Sequence, residues 1–331
     1  MPQRPDVLDD VRSAAAAVAE RARSVRIEDG GLEGCARALI DDGLGVSDDA
    51  EGGDPWAVAD AGDDDPAVEG AVGLVLALDT VNFGSGWHPV VHKVPGMSGA
   101  TSMASRLRDW AAREGGLTAA GLAGFTATDA HRVFAQPVGG GVDDLMALFA
   151  RALADLGQLV LDEHGGSFTA LVASADGSAA ALVDELRAMP SFDDVAVHDG
   201  EPVPILKRAQ LAVADLHRGF GDAGPGRFDD VDRLTAFADN LVPHVLRLDG
   251  VLRFDPALVA RIDAGELLEA GSAEEVEIRA VGLHLVERLR AELARLGHDV
   301  PSWYLDMVLW RRGGRPEYKA HPRHRARSPY Y

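Results

Sequence analysis

The stretch from Ser272 to Gly297 most constrains what this chain can fold into. Ser272 is followed three residues later by Glu275, the spacing of a reciprocal helix N-terminal cap. Val276, Ala280, Val281, Leu285, Leu289 and Leu293 then recur so as to fall on one face of an α-helix. Gly297 supplies the residue that ends it. A long amphipathic helix must be covered, and the sequence offers further helices to cover it. Val7, Leu8, Val11, Ala14, Ala15 and Val18 share the period, as do Leu145 to Val160 and Ala180 to Leu186. The apolar run Ala71 to Phe83 reads as a buried helix closed by the turn Gly84-Ser85-Gly86-Trp87. Strand signals are confined to Val195–Val197 and Val251–Phe254, and no βαβ series with a glycine-rich turn appears. The expected fold is mainly α, a single helical domain over residues 1–331 with few short strands.

Charge narrows the function classes. Hydrophobic residues make up 47% and charged residues 26%, which excludes a disordered or fibrous chain. Lys and Arg number 32 against 53 Asp and Glu, a net charge of -21 that argues against direct nucleic-acid binding. Between Asp41 and Gly70 stand 11 acidic residues and no basic ones, which predicts an exposed, flexible loop. The segment 311–331 is the reverse, with seven Lys or Arg and one acid, Glu317. It reads either as a solvated basic tail or as an anion-binding segment folded back towards a phosphate. No basic-then-apolar leader opens the chain and no run reaches the length of a membrane span, so the expected location is cytoplasmic, with no membrane partner.

Several chemistries lack their residues. Cys35 is the one cysteine, which excludes a disulfide and a Cys-based zinc site. His88 and His92 are four apart, but Pro89 interrupts a helix between them, so neither a metal nor another cofactor is expected. No GxSxG elbow occurs. The glycine turn 84–86 lacks a Walker pattern and instead brings Trp87 and His88 to a cleft wall. Candidate chemistry lies further on. Asp239 stands in the apolar stretch Leu234-Thr235-Ala236-Phe237-Ala238-Asp239, read here as helical. A carboxylate there is a helix-terminal cap, a buried ion pair with Lys207 or an arginine, or a catalytic group in a dry pocket. Glu277, Arg279 and Glu287 suggest an internal ion network. Asp306 lies inside the aromatic, apolar segment Trp303 to Trp310.

Five pieces in this order resemble the queuosine salvage family, the queuosine 5′-phosphate N-glycosylase/hydrolase proteins. They are Leu78 to Phe83, Lys207-Arg208-Ala209-Gln210, Leu234 to Asp239 with Pro243, Glu275 to Arg279, and Asp306 to Trp310, spanning roughly residues 71 to 331. The resemblance implies a helical fold related to helix-hairpin-helix DNA glycosylases. It implies hydrolysis of the N-glycosidic bond of queuosine 5′-phosphate, a small-molecule nucleotide, releasing queuine for tRNA modification. It gives Asp239 the role of nucleophile or oxocarbenium stabiliser and Lys207 that of its partner. Phe237 and Asp306 match positions lining the nucleobase site, with Trp310, Trp87 and Arg208 as further substrate contacts. The chemistry suits these groups, because breaking a ribosyl C–N bond builds positive charge on the sugar. Queuine lacks N7, so the leaving base must be activated elsewhere on its edge. Its secondary amine suits an acid such as Asp306. The sequence departs from the family pattern at Met307 and Arg311. Arg208, Arg279, His321, Arg323 and Arg325 are candidates for the phosphate. The competing reading is a non-catalytic protein that binds queuine or a related 7-deazaguanine.

Overall fold

The computed structural model describes residues 6–45, 66–114 and 117–331. In chain order the elements are α1 (Val7–Arg21), β1 (Val25–Ile27), α2 (Leu32–Asp41), α3 (Pro66–Thr80), α4 (Gly99–Glu114), α5 (Ala119–Ala123), α6 (Ala127–Val133), α7 (Asp143–His164), α8 (Phe168–Ser174) and α9 (Ala179–Leu186). There follow β2 (Val195–His198), β3 (Glu201–Pro204), α10 (Lys207–Phe220), α11 (Val242–Leu248), β4 (Leu252–Phe254), α12 (Pro256–Asp263), β5 (Leu267–Leu268), α13 (Ala273–Arg295), α14 (Ser302–Arg312), α15 (Pro316–Lys319) and β6 (Arg325–Ala326). Helix accounts for 61% and strand for 6%, so the fold is mainly α.

The described residues group into two compact units of interleaved segments. One takes those of Met1–Ala50, Val195–Lys207 and Asp232–Arg327; the other takes those of Glu51–Asp194, Arg208–Val231 and Ser328–Tyr331.

The first unit is built around α13. Its N-terminal half is buried on every side, from Glu275 through Leu283, and α1, α2, α11, α14, β1 and β2 pack against the helix. The expected single apolar face therefore holds only for the second half. Burial on all sides leaves the polar residues of the first half to be paired. Each has protein partners. Glu277 accepts the N–H groups of Arg23 (3.1 Å) and Ser24 (2.7 Å) and lies 3.2 Å from His198 Nε2. Arg279 donates to Ala238 O at 3.0 Å, and Glu287 meets Arg12 at 3.2 Å. Ser272 caps α13 as expected, accepting from Glu275 N, while Glu275 reaches back to Gly271 N.

All strand pairs among the described residues belong to this unit: β1–β4 and β2–β3 antiparallel, β5–β6 parallel. The hairpin β2–β3 turns on Asp199 (φ 50°) and Gly200 (φ 86°), and an Asp-Gly pair with both φ positive is the favoured two-residue turn. Gly282 of α13 lies so close to α11 that a Cβ there would fall 2.9 Å from Pro243 Cγ.

The second unit is helical throughout, with α3, α5, α6 and α8 packed on α7. Gly157 lets α5 approach, since a Cβ at that position would fall 2.5 Å from Ala119 O. The ends of the expected acidic loop are helical: Asp41 closes α2, and Pro66 to Gly70 form the first turns of α3. Residues 46–65 of that loop lie outside the described residues.

Candidate functional site

Leu234 to Ala238 have no regular secondary structure, yet all five are buried. The helix expected there does not form; α11 begins only at Val242. Buried backbone without a helix or ladder needs other hydrogen-bond partners. Phe237 N–H donates to Asp306 Oδ1 at 3.0 Å. The Ala238 carbonyl accepts from Arg279 Nε at 3.0 Å. Asn240 Nδ2 donates to His324 O at 3.1 Å. The segment before α11 is thus held by side chains from α13 and α14 and by the C-terminal backbone.

Asp239 sits in the middle of these anchors. Its Oδ1 accepts from Leu241 N at 2.7 Å and Val242 N at 3.3 Å, so it caps the start of α11. Its Oδ2 lies 3.9 Å from Lys207 Nζ. That distance is beyond hydrogen-bond range, so the pair is a charge contact. The cap and the ion pair coexist: one oxygen is spent on backbone, and the other faces the lysine. Asp239 keeps 15% of its side chain accessible against 8% for Lys207, which makes its carboxylate the more reachable partner.

Lys207 opens α10. The residue before it, Leu206, is fully buried and holds φ 54°, a left-handed conformation unusual for leucine. Such a backbone persists only where surrounding packing enforces it.

Asp306, on α14, is buried at 4% exposure. Burial, and then the nearby Asp239 carboxylate, push its carboxyl up to about 8; the Phe237 N–H and Lys207 oppose that shift only in part. Asp306 is therefore largely protonated at neutral pH. Two carboxyl groups in one dry site, one raised by the other's field, are suited to separate acid and base roles. Phe237 is buried beside them at 3% exposure. Trp310 stands one turn beyond Asp306 on α14 and is exposed at 47%.

Lys207, Phe237, Asp239, Asp306 and Trp310 all belong to the first unit; Trp87 and Arg208 belong to the second. Trp87 is buried in the turn after α3 rather than open on a surface. In that turn the N–H groups of Gly84 and Ser85 are taken by Tyr331 O. Arg208 is fully buried between Phe83 and Phe192, its carbon Cζ 4.6 and 5.1 Å from the ring centres. Its guanidinium donates to the carbonyls of Thr80, Ser191 and Pro329.

The C-terminal segment is folded in, not solvated. Tyr318, His324 and Ala326 are buried, and β6 pairs with β5. Burial pushes His324 down to about 3 and His244 to about 4, so both are neutral. Cys35, buried on α2, is pushed up to about 12, which leaves no thiolate for nucleophilic chemistry. A separate cleft of about 530 Å³, lined by Glu28, Arg247, Leu252, Arg253 and Phe254, includes none of the site residues. Sequence reading missed Asn240 and His324 as anchors. Asn240 had one visible signal, its place directly after the candidate carboxylate.

Comparison with known proteins places the chain in a family. The profile of the family described as "Queuosine salvage protein" matches residues 63–331. A Sphaerobacter thermophilus protein named queuosine 5′-phosphate N-glycosylase/hydrolase is 39% identical over 268 residues, 80% of this chain and 82% of its own. A Bos taurus protein of the same name is 30% identical over 338 residues, covering 97% of this chain and 98% of its own. A Dictyostelium discoideum protein of that name is 34% identical over 183 residues, 55% of this chain and 57% of its own.

Proposed function

The chain belongs to the queuosine salvage protein family, and from that premise we propose a mechanism in which Asp239 and Asp306 divide the work of hydrolysis. The protein is an N-glycosyl hydrolase that cleaves the N-glycosidic bond of queuosine 5′-phosphate and releases queuine. As the C1′–N9 bond lengthens, its electrons pass to the base and positive charge grows on the ribose. The Asp239 carboxylate faces that charge. A group already fixed by backbone donors needs no reorganisation when the charge appears, which is what makes such stabilisation effective. Lys207 positions the open oxygen of Asp239 and the attacking water.

The departing base needs a proton, and the 7-deazapurine has no N7 to take one. Asp306 holds a proton at neutral pH and donates it to the base edge. Water adds at C1′ and loses a proton to Asp239, and the two carboxyl groups return to their starting states through solvent. Phe237 and Trp310 supply apolar walls for the base and its cyclopentene ring.

The observation that carries this reading is the position of Asp239, the accessible member of two neighbouring carboxyl groups with Lys207 at 3.9 Å. The test is incubation with queuosine 5′-phosphate followed by chromatography for free queuine and ribose 5-phosphate. Tight binding of queuosine 5′-phosphate without product would overturn the hydrolase and leave a binding protein.

A further inference from the structure

Tyr318 of α15 is bonded to both α11 and α14. Its backbone carbonyl accepts from His244 Nε2 of α11 at 3.0 Å. Its hydroxyl donates to Oδ1 of Asp249, the residue that closes α11, at 2.5 Å. The same hydroxyl accepts from Nε of Arg312, the last residue of α14, at 2.6 Å. Arg312 Nε also lies 3.1 Å from Asp249 Oδ2, and its guanidinium carbon stands 5.6 Å from the centre of the tyrosine ring. The Tyr318 side chain is buried. Burial, and then the Asp249 carboxylate, hold its hydroxyl up at about 12, so it stays protonated and donating across neutral pH.

The two helices joined in this way hold the two carboxyl groups of the site. Asp239 caps the start of α11, and Asp306 precedes Arg312 on α14. The turn after α14 adds a steric stop, since a Cβ at Gly313 would fall 2.7 Å from Leu241 Cδ1. Leu241 is the residue whose N–H Asp239 accepts. Because α11 has only seven residues, a shift at its last turn is carried to its first. Reacting groups must be held to within roughly 0.5 Å of their working geometry, and the field of one carboxylate on another falls with distance.

We propose that Tyr318 is a positioning residue for the hydrolysis: by clamping α11 to α14 it sets the separation of the Asp239 and Asp306 carboxyl groups. This rests on the mechanism above, in which those two groups divide the work. Burial and the Asp239 field raise Asp306, while the Phe237 N–H and Lys207 lower it. A slackened clamp weakens both raising causes, so Asp306 gives up its proton at a lower pH.

The experiment compares the full-length protein with Tyr318→Phe and Tyr304→Phe. Tyr304 is the control: it stands on α14 too, but its hydroxyl donates to Leu44 O at 3.2 Å. Tyr318→Phe should lower kcat about 3- to 10-fold with KM within about 2-fold, less than the roughly 100-fold that a full misplacement can cost. The alkaline limb of its kcat should move down by about 0.5–1 on the pH scale, a fraction of what one neighbouring charge can produce. Tyr304→Phe should melt lower and keep the wild-type limb. A carboxyl-carbon NMR titration, with Asp306→Asn identifying the signal, should show the same downward move of Asp306 without substrate. A slower Tyr318→Phe whose limb and Asp306 titration stay in place would overturn the proposal, because the residue would then only stabilise the fold. So would an unchanged rate, or an equal move of the limb in Tyr304→Phe. If Tyr318→Phe does not fold, Arg312→Lys replaces it and is judged by the same outcomes. That change keeps a cation for Asp42 and Asp249 and removes the Nε donor to Tyr318. If the wild-type protein releases no queuine, the hydrolase reading is what has failed. The NMR titration then decides Tyr318 by itself, with an unmoved Asp306 counting against it.

Discussion

Phe237 N–H and Asp306 Oδ1, 69 residues apart in sequence, are joined by a buried 3.0 Å hydrogen bond. The bond ties α14 to the irregular segment that carries Asp239. It leaves Asp306 with one oxygen fixed on backbone and the other available to a ligand. Its single N–H is too weak a counterweight to the burial and the Asp239 field that raise the acid to about 8.

Asp306→Asn separates the acid's chemistry from its structural bond, because the amide oxygen can still accept from Phe237 N–H. The folded pKa of Asp306, about 8, lies above its ordinary 3.8. Its contribution to stability is therefore fully present below pH 3.8 and is lost as pH rises through 8. Asp306→Asn should melt higher than wild type at pH 7.5, with the difference shrinking towards pH 4. In kinetics, the wild-type kcat should fall as pH rises through about 8, and the variant should lose that limb together with most of its rate. A wild-type rate that is flat from pH 7 to 9 would remove the acid role.

Asp239→Asn should fold normally, since its side-chain oxygen can still accept from Leu241 and Val242. Turnover should fall about 1,000-fold or more, as expected when the charge facing an oxocarbenium ion is removed. Circular dichroism and queuine release measure the two halves of this prediction.

Lys207→Met should slow turnover and also lower the melting temperature. Breaking a fully buried ion pair costs about 3–5 kcal/mol. The cost here should be smaller, because Asp239 keeps 15% accessibility and its two N–H bonds. Combining Lys207→Met with Asp239→Asn should destabilise less than the two single changes summed, which a double-mutant cycle of thermal melts would read.

Gly282→Ala tests the seat of α11. The added methyl would press on the ring of Pro243, which cannot swing aside as a flexible side chain would. A loss of about 1–3 kcal/mol is expected from overpacking. A lower kcat should accompany it, because the shifted helix begins three residues after Asp239. Denaturant melts and steady-state rates are the measurements.

Arg208→Ala should be a stability variant. It would strip hydrogen bonds from four carbonyls, those of Asp79, Thr80, Ser191 and Pro329, and remove a cation from between two phenylalanine rings. A loss of roughly 3–5 kcal/mol is expected. The ratio of nucleotide to nucleoside kcat/KM should stay unchanged in the protein that remains folded.

The sequence by itself determined the helical class and the positions of the long helices, because their period is local and was readable from Val7, Leu145 and Ser272 onward. It also named the family, through short pieces whose order was kept. What it could not supply was the conformation of Leu234 to Asp239. The apolar run there looks helical, but the chain is drawn out because Asp306, Arg279 and Leu241 offer partners to its backbone and to Asp239. Asp306 and Arg279 lie on other elements, so no local pattern encodes them. The same holds for α13, where a one-sided pattern became burial on all sides once six elements packed around it. The C-terminal basic segment had two readings of equal charge. Its folded position came from tertiary ties, among them the bonds from Arg247 and Asn240 to its backbone and the pairing of β6 with β5, because a charge count fixes neither burial nor neighbours.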